Sequence, residues 1–587
     1  MICQTSSRPI NLGIMKKLCT FLALFLLIPL TAPAHAKDHE TKNAGTAASA
    51  HPEATKAGFE MLQAGGSAAD AAMAMMLTLT VVEPQSSGIG GGGFFLHHDA
   101  KSGWMQTIDG REMAPASAES TRFLDDEGKP LKFIQAMPGG KSVGVPGNMR
   151  LMEMAHRKWG KLPWAKIFEP AIRLAEEGYA VSVPQADWLK RLERLWVNFP
   201  AAQALYWKDG AAAPAGTIIK NPELGQLLRE LQAGGADAFY LGKTAAAISA
   251  AVANAPRSPA EITAEDLANY RAILRAPVCS TYRIYKICGM GPPSSGATTV
   301  LGILGAIERF DMTELYKTEP AKAWHVIAEA MRLAYSDREK YLADKDFVAV
   351  PVDGLIDKDY MTERSAMIAL DRARPQLPGV ATYPAGNPPG SSPRTAAISS
   401  EVAGTTHFTA VDGEGNIANM TSTVEGPFGS QLIARGMVLN NELTDFTFAP
   451  EKDGAPVANR VQAGKRPLSS MSPTLVYDSD GQPILALGSA GGKRIIMHVT
   501  KTLIGVLDYG LSLDEAMALP NIYFGGAGVL IEKDSDLISL QTDISKFGHI
   551  VVTSGLPSKL AGAQKTEKGW IGSVDPRSTG QAVSELP

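Results

Sequence analysis

The segment Gly404-Thr-Thr-His-Phe-Thr-Ala-Val411 joins a glycine and two threonines to a run of alternating apolar residues. Such alternation is typical of a strand, and most Thr-Thr pairs in this position simply begin one. A threonine hydroxyl can also act as a nucleophile if an N-terminal amine on the same residue serves as its base. Cleavage between Gly404 and Thr405 would create this amine, and roughly a tenth of it is neutral at pH 7. The segment alone leaves both interpretations open.

Three further motifs follow in order along the chain. They are Thr423-Val-Glu-Gly-Pro-Phe-Gly429, Asn440-Asn-Glu-Leu-Thr-Asp445 and Arg466-Pro-Leu-Ser-Ser470. Together with the first segment, the series closely resembles the start of the small subunit of the gamma-glutamyltransferases, a family within the N-terminal nucleophile hydrolases. The resemblance extends over nearly all of residues 40–580. It implies self-cleavage between Gly404 and Thr405, with the new N-terminal threonine as the catalyst.

The resemblance also implies a fold and a division of the chain. The expected fold is α+β, a four-layer αββα sandwich built from two chains of one self-cleaved precursor. The large subunit would span residues 37–404 and the small catalytic subunit residues 405–587, and the two would form a heterodimer. Residues 375–404 are rich in proline, glycine and serine, which predicts a flexible segment before the cleavage site.

The residues expected to perform the chemistry follow from the same resemblance. Thr405 is the nucleophile, and Thr423 would hydrogen-bond to it and hold its rotamer. Gly491 and Gly492 would direct two backbone N–H groups at the developing oxyanion, where each well-aimed donor contributes about 3 kcal/mol. Without the family resemblance, Thr423 would be interpreted as an ordinary strand residue and the Gly-Gly pair as part of a loop. His407 is expected to be structural, because the α-amine already provides the base.

A second set of residues is expected to bind substrate. Arg111 matches an arginine that binds the substrate α-carboxylate, for which a guanidinium is well shaped. Ser469 and Ser470 match serines that share this carboxylate, and Glu442 and Asp445 match acidic residues that receive the α-ammonium. Taken alone, an arginine beside a glutamate is usually a surface ion pair, and a Ser-Ser pair is usually part of a turn.

Glu425 departs from the family pattern, in which asparagine is common at this position. Three carboxylates around one pocket would repel one another by roughly 4 kcal/mol per pair at 4 Å and an effective dielectric of 20. The ammonium of a γ-glutamyl group relieves that repulsion, whereas a glutaryl group lacks the amine. The sequence therefore favours a γ-glutamyl donor, unless Glu425 points away to a neighbouring arginine.

The expected activity is that of a gamma-glutamyltransferase or glutathione hydrolase that requires neither a metal nor an organic cofactor. Thr405 would attack the γ-glutamyl amide of glutathione or a related compound, and the ester would pass to water or to an amino acid or dipeptide acceptor. Two alternatives remain: a glutaryl-type cephalosporin acylase on the same scaffold, and an uncleaved, non-catalytic protein that binds glutamyl peptides. The segment between Phe446 and Lys465 is shorter than in members with a long lid, which leaves acceptor access open.

The composition and the N-terminal residues indicate an exported protein that acts on small molecules. The chain has 587 residues, a net charge of -4 and no sustained basic run, which argues against nucleic acid as a partner. Residues 15–36 combine two lysines, a short apolar stretch and a small-x-small end. They predict a signal peptide over residues 1–36, with Met1 or Met15 as the start, and a periplasmic or secreted product without a stable membrane anchor.

Apolar spacing predicts helices over residues 52–64, 68–82, 164–177, 321–341 and 494–509. The second, small and apolar on nearly all sides, is expected to be buried. Residues 88–96 are interpreted as a glycine turn leading into a strand, because they lack the Gly-Lys-Ser/Thr ending of a nucleotide-binding loop. Cys279 and Cys288 would remain after export, and an oxidising compartment permits a bridge, but their spacing leaves the pairing open.

Overall fold

Two antiparallel sheets lie face to face at the centre of the protein, and helices cover the outer side of each. The computed structural model describes residues 45–375, 383–398, 404–526 and 528–585, and residues 42–587 form one compact unit. The predicted signal peptide lies outside the described residues. The order of layers is helix, sheet, sheet, helix, which confirms the αββα sandwich expected from the sequence.

The first sheet has seven strands, and the second to fifth of them in spatial order are completely buried. In spatial order the strands are Gln581–Glu585, Gly45–Ser49, Thr405–Asp412, Ile417–Thr423, Gly92–His98, Met105–Gly110 and Ile273–Arg275. Strands from both sides of the predicted cleavage site therefore pair with one another in a single hydrogen-bonded sheet.

The second sheet has six strands, which in spatial order are Gly569–Val574, Ala561–Thr566, Pro483–Gly488, Thr474–Tyr477, Tyr285–Gly289 and Val278–Tyr282. The last two form a hairpin in which Cys279 and Cys288 lie directly opposite each other. Their sulfurs form a disulfide, with the Cα atoms 4.1 Å apart. The bridge that the sequence left open is thus present, and it joins two strands that the hairpin already pairs.

Most of the longer helices belong to the two outer layers or to the region before the cleavage site. They are Pro52–Gln63, Ala68–Val82, Asn148–Trp159, Glu169–Glu177, Val183–Trp196, Pro222–Gly234, Gly242–Ala253, Gly296–Ile307, Pro320–Tyr341, Lys358–Ser365, Arg494–Leu507 and Leu537–Lys546. Shorter helices are Phe133–Ala136, Gly140–Ser142, Trp164–Phe168, Pro200–Tyr206, Asp237–Tyr240, Ala264–Asn269, Met312–Thr318, Val352–Leu355, Glu442–Asp445 and Leu513–Ala518.

Short strands complete the described secondary structure. Pairs are formed by Tyr179–Ala180 with Ile218–Ile219, Trp207–Lys208 with Ala211–Ala212, Ile433–Ala434 with Met437–Val438, and Glu451–Lys452 with Ala455–Pro456. A small three-stranded sheet contains Ile522–Phe524, Val529–Glu532 and Val551–Ser554. None of the helices among the described residues is both long enough and apolar enough to cross a membrane.

The helix Ala68–Val82 supports the two central strands of the first sheet. All of its residues are buried, as its small and apolar sequence predicted. A capping box begins it, because Ser67 and Asp70 each accept from the other's backbone N–H group. The helix packs on Thr405–Asp412 and Ile417–Thr423, so it fixes these strands from the side opposite the second sheet.

A buried polar network lies between the two sheets. His407 Nδ1 is 2.8 Å from Thr421 Oγ1, and its Nε2 is 2.9 Å from Asn419 Oδ1. The amide nitrogen of Asn419 donates to the carbonyls of Thr474 and Leu487 in the second sheet, both at 3.1 Å. Burial lowers the pKa of His407 to about 3. The ring is therefore neutral and occupied by structural contacts, in keeping with the role expected for it.

Part of the predicted flexible segment makes specific contacts. Residues 376–382 and 399–403 lie outside the described residues, whereas 383–398 lie on the surface of the second helical layer. Tyr383 is buried, and its hydroxyl donates to Glu329 Oε2 at 2.6 Å. The amide of Ala397 donates to the carbonyl of Glu339 at 3.1 Å. The described part is thus anchored, and flexibility of the rest stays a prediction.

Candidate active site

Thr405 is the first residue of an inner strand and lies opposite Thr423 in the antiparallel register. Its hydroxyl donates to Thr423 Oγ1 at 3.2 Å, and Thr423 Oγ1 donates to the carbonyl oxygen of Gly404 at 2.8 Å. The amide of Glu425 donates to Thr423 Oγ1 at 2.8 Å and so fixes this hydroxyl. Thr423 therefore links the hydroxyl of Thr405 to the carbonyl group of the preceding residue, Gly404.

A narrow pocket opens beside Thr405. Its wall contains every substrate-binding residue predicted from the sequence, together with Thr405, Thr423 and one glycine of the predicted oxyanion pair. The lining residues are Arg111, Thr405, Thr423, Glu425, Glu442, Asp445, Ser469, Ser470, Met471, Gly492 and Ile495. Positions separated by more than 300 residues in sequence thus meet around one small space.

Arg111 is buried at the bottom of this arrangement, with 1% of its surface exposed. Its Nη1 pairs with Glu442, and its Nη2 donates to Asp445 Oδ2 at 2.5 Å. Its Nε and Nη2 also donate to the carbonyls of Pro467 and Leu468, at 3.2 and 2.8 Å. Arg111 is therefore not a surface ion pair, and it is bonded to the two acidic residues that were expected to bind an ammonium.

The direct pairing of Arg111 changes the electrostatic argument made from the sequence. The three carboxylates of Glu425, Glu442 and Asp445 do surround one pocket, but Arg111 already supplies a cation to two of them. Glu425 bonds instead to the amide of Asn441. Mutual repulsion alone therefore favours an amine-bearing ligand less strongly than the sequence suggested, because part of the negative charge is already balanced.

Glu425 has a backbone conformation that is unusual for its residue type. Its φ is 75°, which lies in the left-handed region. Residues other than glycine, asparagine and aspartate seldom adopt this backbone conformation. Such outliers persist where surrounding contacts hold them, and they cluster at functional sites. Asparagine adopts this conformation more readily than glutamate, so Glu425 holds it at some energetic cost.

Glu112, next to Arg111, was not singled out from the sequence although it stands in the same motif. It is fully buried and lies 3.9 Å from Arg111 Nη1. No N–H group among the described residues donates to either oxygen of Glu112 or to Glu442 Oε2, and the two carboxyl groups instead bond to each other. Burial, opposed in part by Arg111, raises the pKa of Glu112 to about 7 and that of Glu442 well above its ordinary value. The pair therefore holds a proton between its two carboxyl groups near neutral pH.

The glycine pair before the helix Arg494–Leu507 forms a turn at the pocket. Gly491 has a φ of 136° and Gly492 a φ of 60°, so side chains at these positions would be strained. His498 lies close to the turn, since a Cβ at Gly491 would be 3.1 Å from His498 Cε1. The Nδ1 of His498 is 3.0 Å from Ser489 Oγ. Both backbone conformation and the space beside His498 therefore favour glycine at position 491.

The serine pair is positioned by residues that the sequence did not single out. Arg338 Nη2 donates to Ser470 Oγ at 2.8 Å, and its Nε donates to Ser295 Oγ at 2.9 Å. The amide and the hydroxyl of Ser295 both donate to the carbonyl of Ser469 at 2.7 Å. Arg338 lies on the long helix Pro320–Tyr341, so the region before the cleavage site also orients the pocket. No local motif marks it.

The αββα sandwich, with a threonine at the start of an inner strand beside a polar pocket, has the architecture of the N-terminal nucleophile hydrolase fold. The gamma-glutamyltranspeptidase family matches residues 54–585, and the chain belongs to this family. The resemblance found in the sequence is thereby confirmed, and the protein is an enzyme of the gamma-glutamyltransferase and glutathione hydrolase kind.

Relatives of this chain include two kinds of enzyme. It is 34% identical over 556 residues to the glutathione hydrolase proenzyme of Bacillus subtilis (strain 168), covering 91% of this chain and 92% of that protein. It is 34% identical over 511 residues to the acylase ACY 1 proenzyme of Pseudomonas sp. (strain SE83), covering 86% of each. The solved cephalosporin acylase from Bacillus halodurans matches with a TM-score of 0.79 at 24% identity, over 95% of this chain and 99% of that one, which supports the fold.

Replacing Glu112 by glutamine is expected to reduce the pH dependence of stability. The folded pKa of about 7 exceeds the ordinary 4.5, so the folded state binds more protons between these values, and stability falls as pH rises through them. The variant cannot titrate there. Its free energy of unfolding relative to wild type should therefore increase by up to about 3 kcal/mol between pH 5 and pH 7.5, measured by urea denaturation.

Glu127→Gln provides the matched control, because the Glu127 side chain is 73% exposed. Its stability relative to wild type should differ little between the two pH values. An equal difference for Glu112→Gln at both pH values would show that Glu112 is ionised throughout this range and would contradict the assignment of a retained proton.

Proposed function

We propose that the chain is the precursor of a gamma-glutamyltransferase or hydrolase that cleaves itself between Gly404 and Thr405. The observation that carries this proposal is the hydrogen-bonded row of Thr405, Thr423 and the Gly404 carbonyl at the edge of a charged pocket. Family membership supports it, and the proenzyme names of two relatives agree with a processed chain.

In the self-cleavage step, Thr405 Oγ1 attacks the carbonyl carbon of Gly404. The Thr423 hydroxyl donates to the carbonyl oxygen and stabilises the negative charge that develops there. The bond from the carbonyl carbon to the Thr405 nitrogen then breaks, and the proton from the hydroxyl passes to that nitrogen. An ester forms between Gly404 and Thr405, and water hydrolyses it to a carboxylate and a free N-terminal threonine.

In turnover, the new α-amine of Thr405 accepts the hydroxyl proton as the oxygen attacks the donor's γ-carbonyl carbon. The backbone N–H groups of Gly491 and Gly492 stabilise the oxyanion, and Thr423 holds the nucleophile. The protonated amine gives its proton to the leaving nitrogen, which departs. The γ-glutamyl ester on Thr405 then passes to water, or to the amine of an amino acid or dipeptide.

The pocket fits a group that has both a carboxylate and an ammonium. Described residues occupy four of the five N–H groups of Arg111, so one Nη1 hydrogen remains for a carboxylate beside Ser469 and Ser470. Glu442 and Asp445 also line the pocket, and their carboxyl oxygens are acceptors for an ammonium. Glutathione and related γ-glutamyl amides are therefore the donors that this pocket supports best.

A glutaryl-type acylase is the second candidate. It is favoured by the acylase relative and by the pairing of Arg111 with two of the pocket carboxylates, which lowers the charge that an ammonium would otherwise balance. It is disfavoured by the acidic oxygens of Glu425, Glu442 and Asp445 in the pocket wall, because a glutaryl group has no ammonium to offer them.

Cleavage would divide the chain into a large subunit of residues 37–404 and a small subunit of residues 405–587. The first sheet would then contain strands of both, and in the second sheet Thr474–Tyr477 of the small subunit would pair with Tyr285–Gly289 of the large one. The pocket would likewise combine Arg111 with residues of the small subunit. The two chains therefore stay together as a heterodimer.

We also infer that the enzyme is exported and acts in the periplasm or outside the cell. The leader pattern of residues 15–36 supports this inference. The disulfide between Cys279 and Cys288 supports it independently, because such bridges persist mainly in oxidising compartments.

Replacing Thr423 by valine is expected to slow self-cleavage about 100-fold, because it removes the donor to the Gly404 carbonyl while keeping the side-chain shape. Thr423→Ser keeps the hydroxyl and should cleave within a few fold of wild type. The two rates are compared by following conversion of freshly synthesised precursor into two chains on denaturing gels. Equal rates for the valine and serine variants would refute the role of this hydroxyl.

Wild-type enzyme should hydrolyse γ-glutamyl-4-nitroanilide at least about tenfold more efficiently than glutaryl-4-nitroanilide, because a charged hydrogen bond contributes about 1.5–3 kcal/mol. The comparison uses kcat/KM, and the leaving group is the same in both compounds. Glu442→Gln should narrow the ratio, since it removes a titratable carboxyl group from the pocket wall and with it part of the negative charge available to an ammonium. A glutaryl compound that reacts as fast or faster would establish the acylase alternative instead.

A further inference from the structure

Glu112 lies behind the candidate active site rather than in its wall. Glu442 lines the pocket beside Thr405, whereas Glu112 does not, and both side chains are buried. A Cβ at Gly92 would lie 2.4 Å from Glu112 Oε2, and one at Gly144 would lie 2.9 Å from Glu112 Cβ. Main chain therefore encloses Glu112 on two sides, and this side chain acts on a pocket ligand only through its neighbours.

The contact between Glu112 and Glu442 requires a proton. Their carboxyl groups bond to each other, and no N–H group among the described residues donates to the oxygens of Glu112 or to Glu442 Oε2. A carboxylate offers only acceptors, so a hydrogen bond between two carboxyl groups needs a proton on one of them. Two carboxylates in contact would also repel each other. The two residues therefore share one proton.

The positive charges around this pair favour a negative charge on Glu442. Arg111 Nη1 pairs directly with Glu442, whereas it lies 3.9 Å from Glu112 Oε2. The ammonium of a ligand in the pocket would add a second positive charge on the side of Glu442. An opposite charge nearby favours the ionised form of a carboxyl group. A bound ammonium therefore draws the negative charge onto Glu442 and the proton onto Glu112.

Acidic and neutral groups also face the pair. Asp445 opposes a negative charge on Glu112, and Glu425 opposes one on Glu442. Tyr270 faces Glu112 as well, and burial raises the pKa of its hydroxyl, which is therefore neutral. These groups make a second negative charge on the pair costly, so they favour keeping the shared proton within it.

Asn440 holds the main chain of the two residues together. Its side-chain oxygen accepts from the amide of Glu442 at 3.0 Å and from the amide of Gly144 at 2.9 Å. Gly144 is one of the residues that enclose Glu112. The relative position of the two carboxyl groups is therefore fixed by the backbone, and a proton can pass between them without a change of fold.

We propose that Glu112 is a positioning residue that makes the pocket select donors with an ammonium. When such a donor binds, the O–H bond at Glu442 breaks and one forms at Glu112, whose hydroxyl then donates to Glu442 Oε2. Glu442 is left as a carboxylate that faces the ammonium, and the total charge of the pair does not change. A glutaryl group brings no cation and leaves the proton in place. The proposal rests on the proposed function, because it explains how that site distinguishes its donors.

Two substitutions of similar length test this proposal. Glu112→Gln keeps a donor to Glu442, because its amide replaces the protonated carboxyl group, whereas Glu112→Met has none. With γ-glutamyl-4-nitroanilide at pH 6.5, KM should stay within about threefold of wild type for Glu112→Gln and rise at least about tenfold for Glu112→Met, the size of a lost hydrogen bond to a charged group. KM for glutaryl-4-nitroanilide should change little in either variant. KM is compared because it does not depend on the fraction of chain that has been processed.

The pH dependence separates this role from a merely structural one. Without a donor, buried Glu442 keeps its own proton to higher pH, so Glu112→Met should regain affinity as the pH rises. The ratio of KM between Glu112→Met and Glu112→Gln should therefore fall from at least about tenfold at pH 6.5 to about threefold or less at pH 8.5. Disturbed packing would raise the ratio equally at both pH values. A ratio near one at pH 6.5, or one that does not change with pH, would overturn the proposal.

Glu127→Gln and Glu127→Met are the matched controls, because the Glu127 side chain is 73% exposed, and both should leave KM unchanged. If Glu112→Met does not fold, Glu112→Gln still decides, since a KM for the γ-glutamyl compound more than about tenfold above wild type at pH 6.5 would overturn the proposal. Failure of wild-type enzyme to hydrolyse γ-glutamyl-4-nitroanilide would be a different result, because it would contradict the proposed function and the role of Glu112 with it.

Discussion

The antiparallel register that sets Thr405 opposite Thr423 is the constraint on which the site depends. It places a hydroxyl within reach of both the candidate nucleophile and the preceding carbonyl. The neighbouring His407 and Asn419 tie the same two strands to the second sheet. A shift by one residue would turn every side chain of these strands to the opposite face. The chemistry is therefore secured by the packing of the whole sandwich rather than by a local loop.

Charge in the pocket is arranged around one buried cation. Arg111 pairs with Glu442 and Asp445, while Glu112 behind it retains a proton because burial disfavours its charged form. Removing the cation would leave buried carboxylates unpaired, which is costly in any protein interior. The same guanidinium thus stabilises the fold around the pocket and, in the proposed function, keeps one hydrogen for the substrate carboxylate.

Local patterns in the sequence predicted much of the fold. The helix Ala68–Val82 was recognisable because small and apolar residues surround it on all sides, and the strand from Thr405 because apolar and polar residues alternate. Family motifs also named residues that the structure places around one pocket. The pairing of Arg111 with Glu442 was not predictable, because no spacing rule connects residues so distant in sequence. Arg338 was missed for the same reason, since helical periodicity does not show which side chain reaches a distant serine.

The intact mass of the purified protein under denaturing conditions tests the central claim most directly, with Thr405→Ala as its matched variant. The account predicts two chains for wild type, one of which begins at Thr405, and a single chain for the variant, in which the attacking hydroxyl is missing. A wild-type protein that remains one chain, or that is cut at another bond, would contradict the account, because Thr405 would then lack the amine that serves as its base.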